Sequence, residues 1–182
     1  MLQKELVKVV RALHRANIPY IIIGGRAVLL YGEPRFTKDI DITLGVDSSQ
    51  FPIIKTLAEK LLLRSKVDEA FVKETNVFPT IDTESGIGVD FIFSFTPYER
   101  AAIERANIVL VEDIPVRYAA VEDVIIHKIF AGRPRDIQDV EGIILRTPIF
   151  DKKFIEETLS DFDNALQKSL VQLFQQICSD LK

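Results

Sequence analysis

The segment that most constrains the fold is DIDI at residues 39–42, where two carboxylates alternate with isoleucine at the start of an apolar run. Successive side chains of a strand point to opposite faces, so Asp39 and Asp41 would lie on one face and the isoleucines on the other. Carboxylates beside a buried strand are costly unless something binds them. The segment therefore predicts a strand whose polar face offers hard oxygen ligands, which suit Mg²⁺. The alternative is a pair of solvated aspartates at an exposed strand end.

A third carboxylate, Asp90, lies in the middle of the apolar run GVDFIF. If its strand pairs with the strand of Asp39 and Asp41, the three carboxylates converge on a site for two metal ions, as in phosphoryl transfer. Asp82, on the opposing strand of the same predicted hairpin, is a weaker substitute for Asp90.

Two glycines, Gly24 and Gly25, stand between the apolar run IPYIII and the short predicted helix RAVLLY. A helix N-terminus reached through glycines leaves room for a phosphate near its free backbone N–H groups. The glycines could equally serve the turn alone. The spacing of Gly-Gly, then Asp-x-Asp, then a later strand aspartate is more specific than any of its parts.

The remaining periodicities predict an α+β fold, in which a small mixed β-sheet is flanked by helices and followed by a C-terminal helical segment. We expect a helix at the N-terminus, a helix from residue 50 through 64, and a hairpin made by VFPTIDT and GVDFIFS. One or two strands broken near Pro115 should follow, then helices to the end, with a single apolar stripe from Phe162 to Leu181. We predict a single domain over residues 1–182, with a core at about 18–120 and a helical tail at about 121–182.

Composition excludes several classes of protein. The chain has 182 residues, one cysteine and a net charge of −4, so neither a disulfide framework nor bulk binding of nucleic acid is expected. No uncharged run approaches the roughly 20 residues that a bilayer requires. We therefore expect a cytoplasmic protein without a membrane partner.

Together these motifs resemble the minimal nucleotidyltransferases of the DNA polymerase β superfamily, including the AbiEii-type toxin group. The resemblance rests on the strand before Gly24-Gly25, the short helix after it, the segment RFTKDID at 35–41, and Asp90. It implies that Asp39, Asp41 and Asp90 are catalytic and carry Mg²⁺, and that the glycine turn holds the triphosphate of an NTP. The nucleotide-binding residues that we predict are Gly24, Gly25, Arg26, Arg35, Thr37, Lys38 and Lys128.

The resemblance extends to a basic and acidic cluster, RPRDIQD at residues 133–139, and to Lys128 before it. Lys128 projects from an apolar helical face, where it could reach a triphosphate or extend past the core to water. Asp136 and Asp139 could instead form a plain surface network with Arg133 and Arg135.

The function predicted from the resemblance is a Mg²⁺-dependent transfer of a nucleoside monophosphate from an NTP to an acceptor hydroxyl. The acceptor would be an RNA, a protein or a small molecule, and the protein would be a candidate component of a toxin–antitoxin pair. A small helical partner protein and a homodimer are both compatible with the sequence. One alternative is a catalytically silent module of the same fold that binds a nucleotide or a partner. Another is a haloacid-dehalogenase-type phosphatase, whose D-x-D-x-T motif resembles DIDIT but lies at the end of its strand rather than at the start.

Overall fold

The computed structural model describes residues 1–181, which form nine α-helices and seven strands. The helices are α1 Leu2–Arg15, α2 Gly24–Tyr31, α3 Phe51–Lys60, α4 Glu69–Thr75, α5 Pro97–Glu104, α6 Val121–Ala131, α7 Pro134–Arg146, α8 Lys152–Leu166 and α9 Leu170–Asp180. The strands are β1 Tyr20–Ile22, β2 Asp39–Leu44, β3 Leu63–Arg64, β4 Val77–Asp82, β5 Gly88–Phe93, β6 Asn107–Val111 and β7 Ile114–Tyr118. None of the described helices is long and apolar enough to span a bilayer.

All seven strands belong to one sheet, in the order β3-β4-β5-β2-β1-β7-β6. The pairs β2–β5 and β1–β7 are parallel, and the other four pairs are antiparallel. The sheet is therefore mixed and helices accompany it, which confirms the predicted fold class. The predicted hairpin of β4 and β5 is also confirmed.

The described chain divides into two compact units. The first comprises residues 1–26 and 36–119 and contains the whole sheet with α1, α3, α4 and α5. The second comprises residues 27–35 and the chain from Ala120 onward, with helices α6 to α9. Helix α2 begins in the first unit and ends in the second. The single domain expected from the sequence stays a prediction.

The core of the first unit forms where the sequence is most apolar. Strand β1 is flanked by β2 and β7 and is buried on both faces, as its continuous apolar run predicts. Helix α1 turns one apolar stripe inward, and Leu6, Val9, Val10 and Leu13 of that stripe are fully buried. Each fully buried side chain of this kind contributes about 1.5–3 kcal/mol from the hydrophobic effect.

A polar anchor joins α1 to the hairpin of β4 and β5. Lys8 Nζ lies 2.7 Å from Glu5 Oε1 and donates a hydrogen bond to Asp82 Oδ2 at 2.8 Å. Asp82 also accepts hydrogen bonds from the backbone N–H groups of Glu84 and Ser85. Burial alone would raise the pKa of Asp82, but these hydrogen bonds outweigh it and hold that pKa well below its usual range. Asp82 therefore has a structural role and is not the substitute ligand that the sequence had left open.

In the second unit, α8 and α9 are separate helices. The sequence predicts instead one apolar stripe that continues through both. Gln167 ends α8 in the left-handed conformation, with a φ of 52°. Asp163 accepts hydrogen bonds from the backbone N–H groups of Leu170 and Val171 at 2.7 and 3.1 Å, which satisfies the first donors of α9. The apolar stripe is consequently broken, and Leu166 is half exposed.

Two other boundaries differ from the prediction. Helix α3 ends at Lys60 and not at residue 64, because Leu63 and Arg64 pair with β4 as strand β3. The strands β6 and β7 are separated by the turn at Glu112 and Asp113 and not at Pro115, which lies inside β7.

Candidate active site

The three predicted carboxylates lie on two adjacent parallel strands in the first unit. Strand β2 begins with Asp39 and β5 pairs with it in exact register, so that Asp41 is opposite Asp90 and Asp39 is opposite Gly88. Ile40 and Ile42 are fully buried, whereas Asp39 is exposed and Asp41 is half-buried. The predicted strand pairing and the predicted face of the aspartates are confirmed.

The electrostatics of this group are unfavourable for the isolated protein. Asp90 is half-buried, and that burial, together with the nearby charges of Asp41 and Asp39, raises its pKa to about 6. Both causes disfavour the ionised form. A strand pairing that forces three carboxylates together, at a cost to the fold, is a common sign of a functional site.

Two glycines leave space for these carboxylates. A Cβ placed on Gly24, which has a φ of 59°, would collide with the carboxylate of Asp41, and a Cβ on Gly88 would lie 2.5 Å from Asp39 Oδ1. The backbone N–H of Ile23 donates to the carbonyl oxygen of Asp41 at 3.0 Å, which holds the glycine turn against β2. Any larger residue at either glycine would displace a carboxylate.

Three other predicted nucleotide-binding residues belong to this unit. Thr37 Oγ1 donates to the carbonyl oxygen of Asp39 at 3.3 Å, and Lys38 lies over the ring of Phe36 at 5.9 Å from its centroid. Among residues 1–181, Arg26 Nε has no hydrogen-bond partner although it is buried. An unsatisfied buried donor is costly, so an anionic ligand would stabilise it.

The donor set fits a divalent hard cation without forming a closed cage. In the described residues, no group of three or more His, Cys, Asp or Glu side chains is arranged to hold a metal ion by itself. Mg²⁺ needs no such cage, because it is usually bound by one or two carboxylates together with substrate phosphates and water. The mutual repulsion felt by Asp90 and the cleared space at Gly24 and Gly88 agree with that mode of binding.

The second unit contains a different charged cluster, which we call the lysine–arginine cluster: Lys128, Asp136, Asp139, Arg35 and Arg133. Lys128 Nζ is buried and lies 2.6 Å from Asp136 Oδ1 and 2.8 Å from Asp139 Oδ2. Arg133 Nε donates to Asp136 Oδ2 at 2.6 Å. Burial would raise the pKa of Asp136, but the hydrogen bonds from Arg133 and Lys128 prevail and lower it.

Arg35 completes the lysine–arginine cluster. Its Nε and Nη2 donate to the two oxygens of Asp139 at 2.7 and 2.9 Å, a bidentate pair of the strongest kind. Arg35 and Lys128 therefore have carboxylate partners within their own unit. The nucleotide-binding role assigned to them from the sequence stays a prediction.

A mixed sheet in which Asp-x-Asp and a third aspartate lie on adjacent parallel strands, behind a glycine turn, is the arrangement of the nucleotidyltransferase class. The comparison with known families agrees: residues 1–169 match the family described as nucleotidyltransferase of unknown function (DUF6036). The chain belongs to that family and is a nucleotidyltransferase. The narrower assignment to the AbiEii-type group stays a prediction, and the phosphatase alternative is wrong for this fold.

Solved structures of the same fold are remote in sequence. The solution structure of the antibiotic-resistance factor ANT(2'')-Ia is 18% identical, with a TM-score of 0.62 over 90% of this chain and 92% of its own. The lincosamide antibiotic adenylyltransferase LnuA, bound to lincomycin, is 17% identical, with a TM-score of 0.55 over 77% and 94%. A nucleotidyltransferase-like protein from Paracoccidioides brasiliensis is 17% identical, with a TM-score of 0.54 over 92% and 91%. No curated protein matches the sequence.

The residue that sequence reasoning missed is Gly88. It lies directly opposite Asp39 and keeps the space of that carboxylate open. A glycine at the start of an otherwise apolar strand is a known sign of close approach by another group. That signal is present in GVDFIF, two residues before Asp90.

Proposed function

We propose that this protein is a Mg²⁺-dependent nucleotidyltransferase that moves a nucleoside monophosphate from an NTP to an acceptor hydroxyl and releases pyrophosphate. The observation that carries the proposal is the register of β2 and β5, which brings Asp39, Asp41 and Asp90 together on parallel strands. The raised pKa of Asp90 supports it, because a cation bound at the cluster would favour the ionised form that burial and the neighbouring carboxylates disfavour.

The transfer exchanges one phosphorus–oxygen bond for another. The acceptor oxygen bonds to the α-phosphorus, the bond from that phosphorus to the bridging oxygen of the β-phosphate breaks, and pyrophosphate leaves with the electron pair. We assign the proton of the acceptor hydroxyl to Asp90, the third carboxylate, which lies on the neighbouring strand β5 opposite Asp41. Bound Mg²⁺ would neutralise charge on the phosphates and on the attacking oxygen.

The first unit also supplies groups for the nucleotide. The turn at Gly24 and Gly25 opens α2, and the first backbone N–H groups of a helix, which have no partner within it, can bind a phosphate. The buried Arg26 Nε lacks a protein partner among the described residues, which supports a contact between Arg26 and an anion. Thr37 and Lys38 precede Asp39 directly in the chain, and we assign them contacts with the phosphates.

The acceptor has to be identified by experiment. RNA, protein hydroxyls and small molecules are all to be tested, and aminoglycosides and lincosamides belong in the last group because two antibiotic-modifying enzymes share this fold. The purified protein should be incubated with each α-labelled NTP, Mg²⁺ and each acceptor class in turn. Label in RNA or protein, together with growth arrest on expression that a neighbouring gene relieves, would support the toxin–antitoxin role.

The alternative, a catalytically silent binding module, predicts that a nucleotide binds and is not transferred. Nucleotide binding by calorimetry without transfer to any acceptor class would support the silent module. Absence of both binding and transfer would overturn the proposed function. Transfer that depends on Mg²⁺ and is lost in Asp41→Asn would support it.

A further inference from the structure

The outer edge of β6 lacks the features that usually protect a sheet edge. β6 is the last strand of the sheet, and its sequence NIVLV at 107–111 contains no charged residue and no proline. Natural edge strands are generally shielded by lysine, proline, bulges or a covering element, because an open edge readily pairs with another chain. Ile108 and Leu110 are 61% and 69% exposed, so no described segment covers these two side chains of the edge strand.

The backbone geometry shows which groups face outward. Glu112 and Asp113 form a two-residue turn with φ values of 49° and 63°, as in a type I′ hairpin. The residue before such a turn forms a hydrogen-bonded pair with the residue after it. Hydrogen-bonded and non-hydrogen-bonded residue pairs then alternate along the hairpin. The hydrogen bonds of β6 to β7 are therefore made by Val111, Val109 and Asn107. The backbone N–H and C=O groups of Ile108 and Leu110 point to the outer edge.

Pro115 supports this alternation. It is paired with Leu110, so it lies at a position that makes no hydrogen bond to β6. Its missing N–H would face the opposite side of β7, where the described pairing with β1 is at Tyr118. The proline therefore removes no hydrogen bond between β6 and β7.

One antiparallel register joins two copies of β6 so that every outward group is used. If Ile108 of one copy faces Leu110 of the other, the two residues exchange both backbone hydrogen bonds, and the two-fold axis repeats the pair. Val109 then lies opposite Val109 of the second copy. A shift of the register would leave outward groups of these residues without partners, which is costly when they are buried by the contact.

The same register gives charge complementarity at both ends of the strand pair. It places Arg105, just before β6, opposite Asp113 of the second copy, beside Glu112 of the same turn. The arrangement occurs twice because of the two-fold axis. Opposite charges at the rim of an interface select the partner and its orientation.

We propose that β6 is the contact surface for a second copy of this chain, which extends the sheet across a two-fold axis by antiparallel β6–β6 pairing. An isologous contact of this kind is self-complementary and closes at two copies. The apolar side chains of Ile108 and Leu110 would be buried at its centre, and Arg105 would meet the acidic turn at its rim.

The primary test measures the mass of the full chain in solution by analytical ultracentrifugation over a range of concentrations. We expect a dimer, and we expect Leu110→Lys to weaken it by about tenfold or more, because a central apolar contact becomes a repelling charge. Ile81→Lys is the matched control, since Ile81 is 48% exposed on β4, and four strands of the same sheet lie between β4 and β6. A monomeric parent, or a dimer that tolerates Leu110→Lys, would overturn the proposal.

Two further variants test the register without depending on a loss of folding. In a Cys178→Ser background, Val109→Cys should form a disulfide between copies, because non-hydrogen-bonded antiparallel pairs have Cα atoms about 4.5 Å apart. Val111→Cys, on the same face of β6, should not, because the register places it opposite Asn107. Arg105→Glu should weaken the dimer, and adding Asp113→Arg should restore it. Equal cross-linking at 109 and 111, or no restoration, would contradict this register.

Discussion

The carboxylates of β2 and β5 and the lysine–arginine cluster of the second unit are two groups of charged residues with opposite electrostatics. In the first, Asp39 and Asp41 raise the pKa of Asp90, and carboxylate lies beside carboxylate. In the second, Asp136 and Asp139 are surrounded by Lys128, Arg35 and Arg133, and the pKa of Asp136 is lowered.

The contrast indicates that charge is balanced within the lysine–arginine cluster, whereas the carboxylates of β2 and β5 would favour a bound cation. A cluster whose charges are balanced by protein partners stabilises the fold when intact and is costly to break. A cluster of like charges destabilises the protein until a counter-ion binds, so its presence points to a role in binding or catalysis. Substitutions in one cluster at a time separate the two roles.

The largest effect is expected from Asp41→Asn. Loss of a carboxylate at the centre of the β2–β5 group should reduce Mg²⁺-dependent transfer by about a hundredfold or more, the scale of a lost transition-state electrostatic contact. The measurement is the initial rate of label transfer at saturating NTP. Asp161→Asn, an exposed change of the same chemistry on α8, is the control and should match the parent.

The next effect concerns stability and is expected from Lys128→Met. Removal of this buried lysine leaves Asp136 and Asp139 without their shared partner, which should lower the free energy of unfolding by about 3 kcal/mol in urea denaturation. Lys73→Met, which breaks an exposed pair with Glu69, should cost less than about 1 kcal/mol. If Lys128→Met is as stable as Lys73→Met, the lysine–arginine cluster is not structural. Weaker NTP binding well below its melting temperature would indicate the nucleotide role.

Gly88→Ala tests whether the space around Asp39 matters. The added methyl should displace that carboxylate and weaken metal binding about tenfold, as is usual when a neighbour of a ligand is altered. Titration of Mg²⁺ by calorimetry measures the change. Gly86→Ala is the control, because a Cβ there meets nothing within 4 Å, although its φ of 69° costs some stability. Equal metal affinity in the two variants would remove Gly88 from the site.

Asp90→Asn should stabilise the metal-free protein and abolish its stabilisation by Mg²⁺. The raised pKa of Asp90 corresponds to an unfavourable ionised form, worth about 1–2 kcal/mol after allowance for its partial exposure to solvent. Chemical denaturation in EDTA, repeated with Mg²⁺, measures both effects. A variant that is less stable than the parent in EDTA would show that Asp90 is not repelled by its neighbours.

The smallest effect is the pH dependence of stability in the absence of metal. Asp90 has a folded pKa of about 6, above its unfolded value, so its protonation should stabilise the fold as pH falls from 7 toward 4. Asp136 has a lowered pKa, so its contribution is present above its unfolded pKa and is lost as pH falls further. Melting temperatures in EDTA should therefore pass through a maximum on the acid side of neutrality. Asp90→Asn should remove the rise between pH 7 and 5 and keep the acid loss.

Local pattern was sufficient for the fold class and for the carboxylates on β2 and β5. The alternation at 39–42 and the turn chemistry between β4 and β5 are local signals, and the parallel pairing of β2 with β5 then brings Asp90 beside Asp41. Helix α3 was predicted too long because residues 61–64 are apolar enough for a helix. The pairing of Leu63 with Asp82 prevails over that preference.

The pairing of Arg35 with Asp139 could not be read from sequence, because 104 residues separate them and nothing local marks the partner. The end of α8 at Gln167 was missed for a similar reason. Asp163 and Ser169 both resemble ordinary helical or capping residues, and only the structure shows Asp163 binding the first N–H groups of α9.

The parallel pairing of β2 with β5 also determines when the site can form during folding. The two strands are joined by a crossover that contains α3, β3, α4 and β4, so Asp41 and Asp90 meet only after a long loop has closed. Contacts between residues so far apart in sequence form slowly, because the entropic cost of closing the loop arises before the contacts stabilise the chain. In a chain still on the ribosome, Asp39 and Asp41 would be exposed and separated from Asp90 until residue 93 had emerged. Affinity for Mg²⁺ should therefore appear late in refolding, together with the completed sheet.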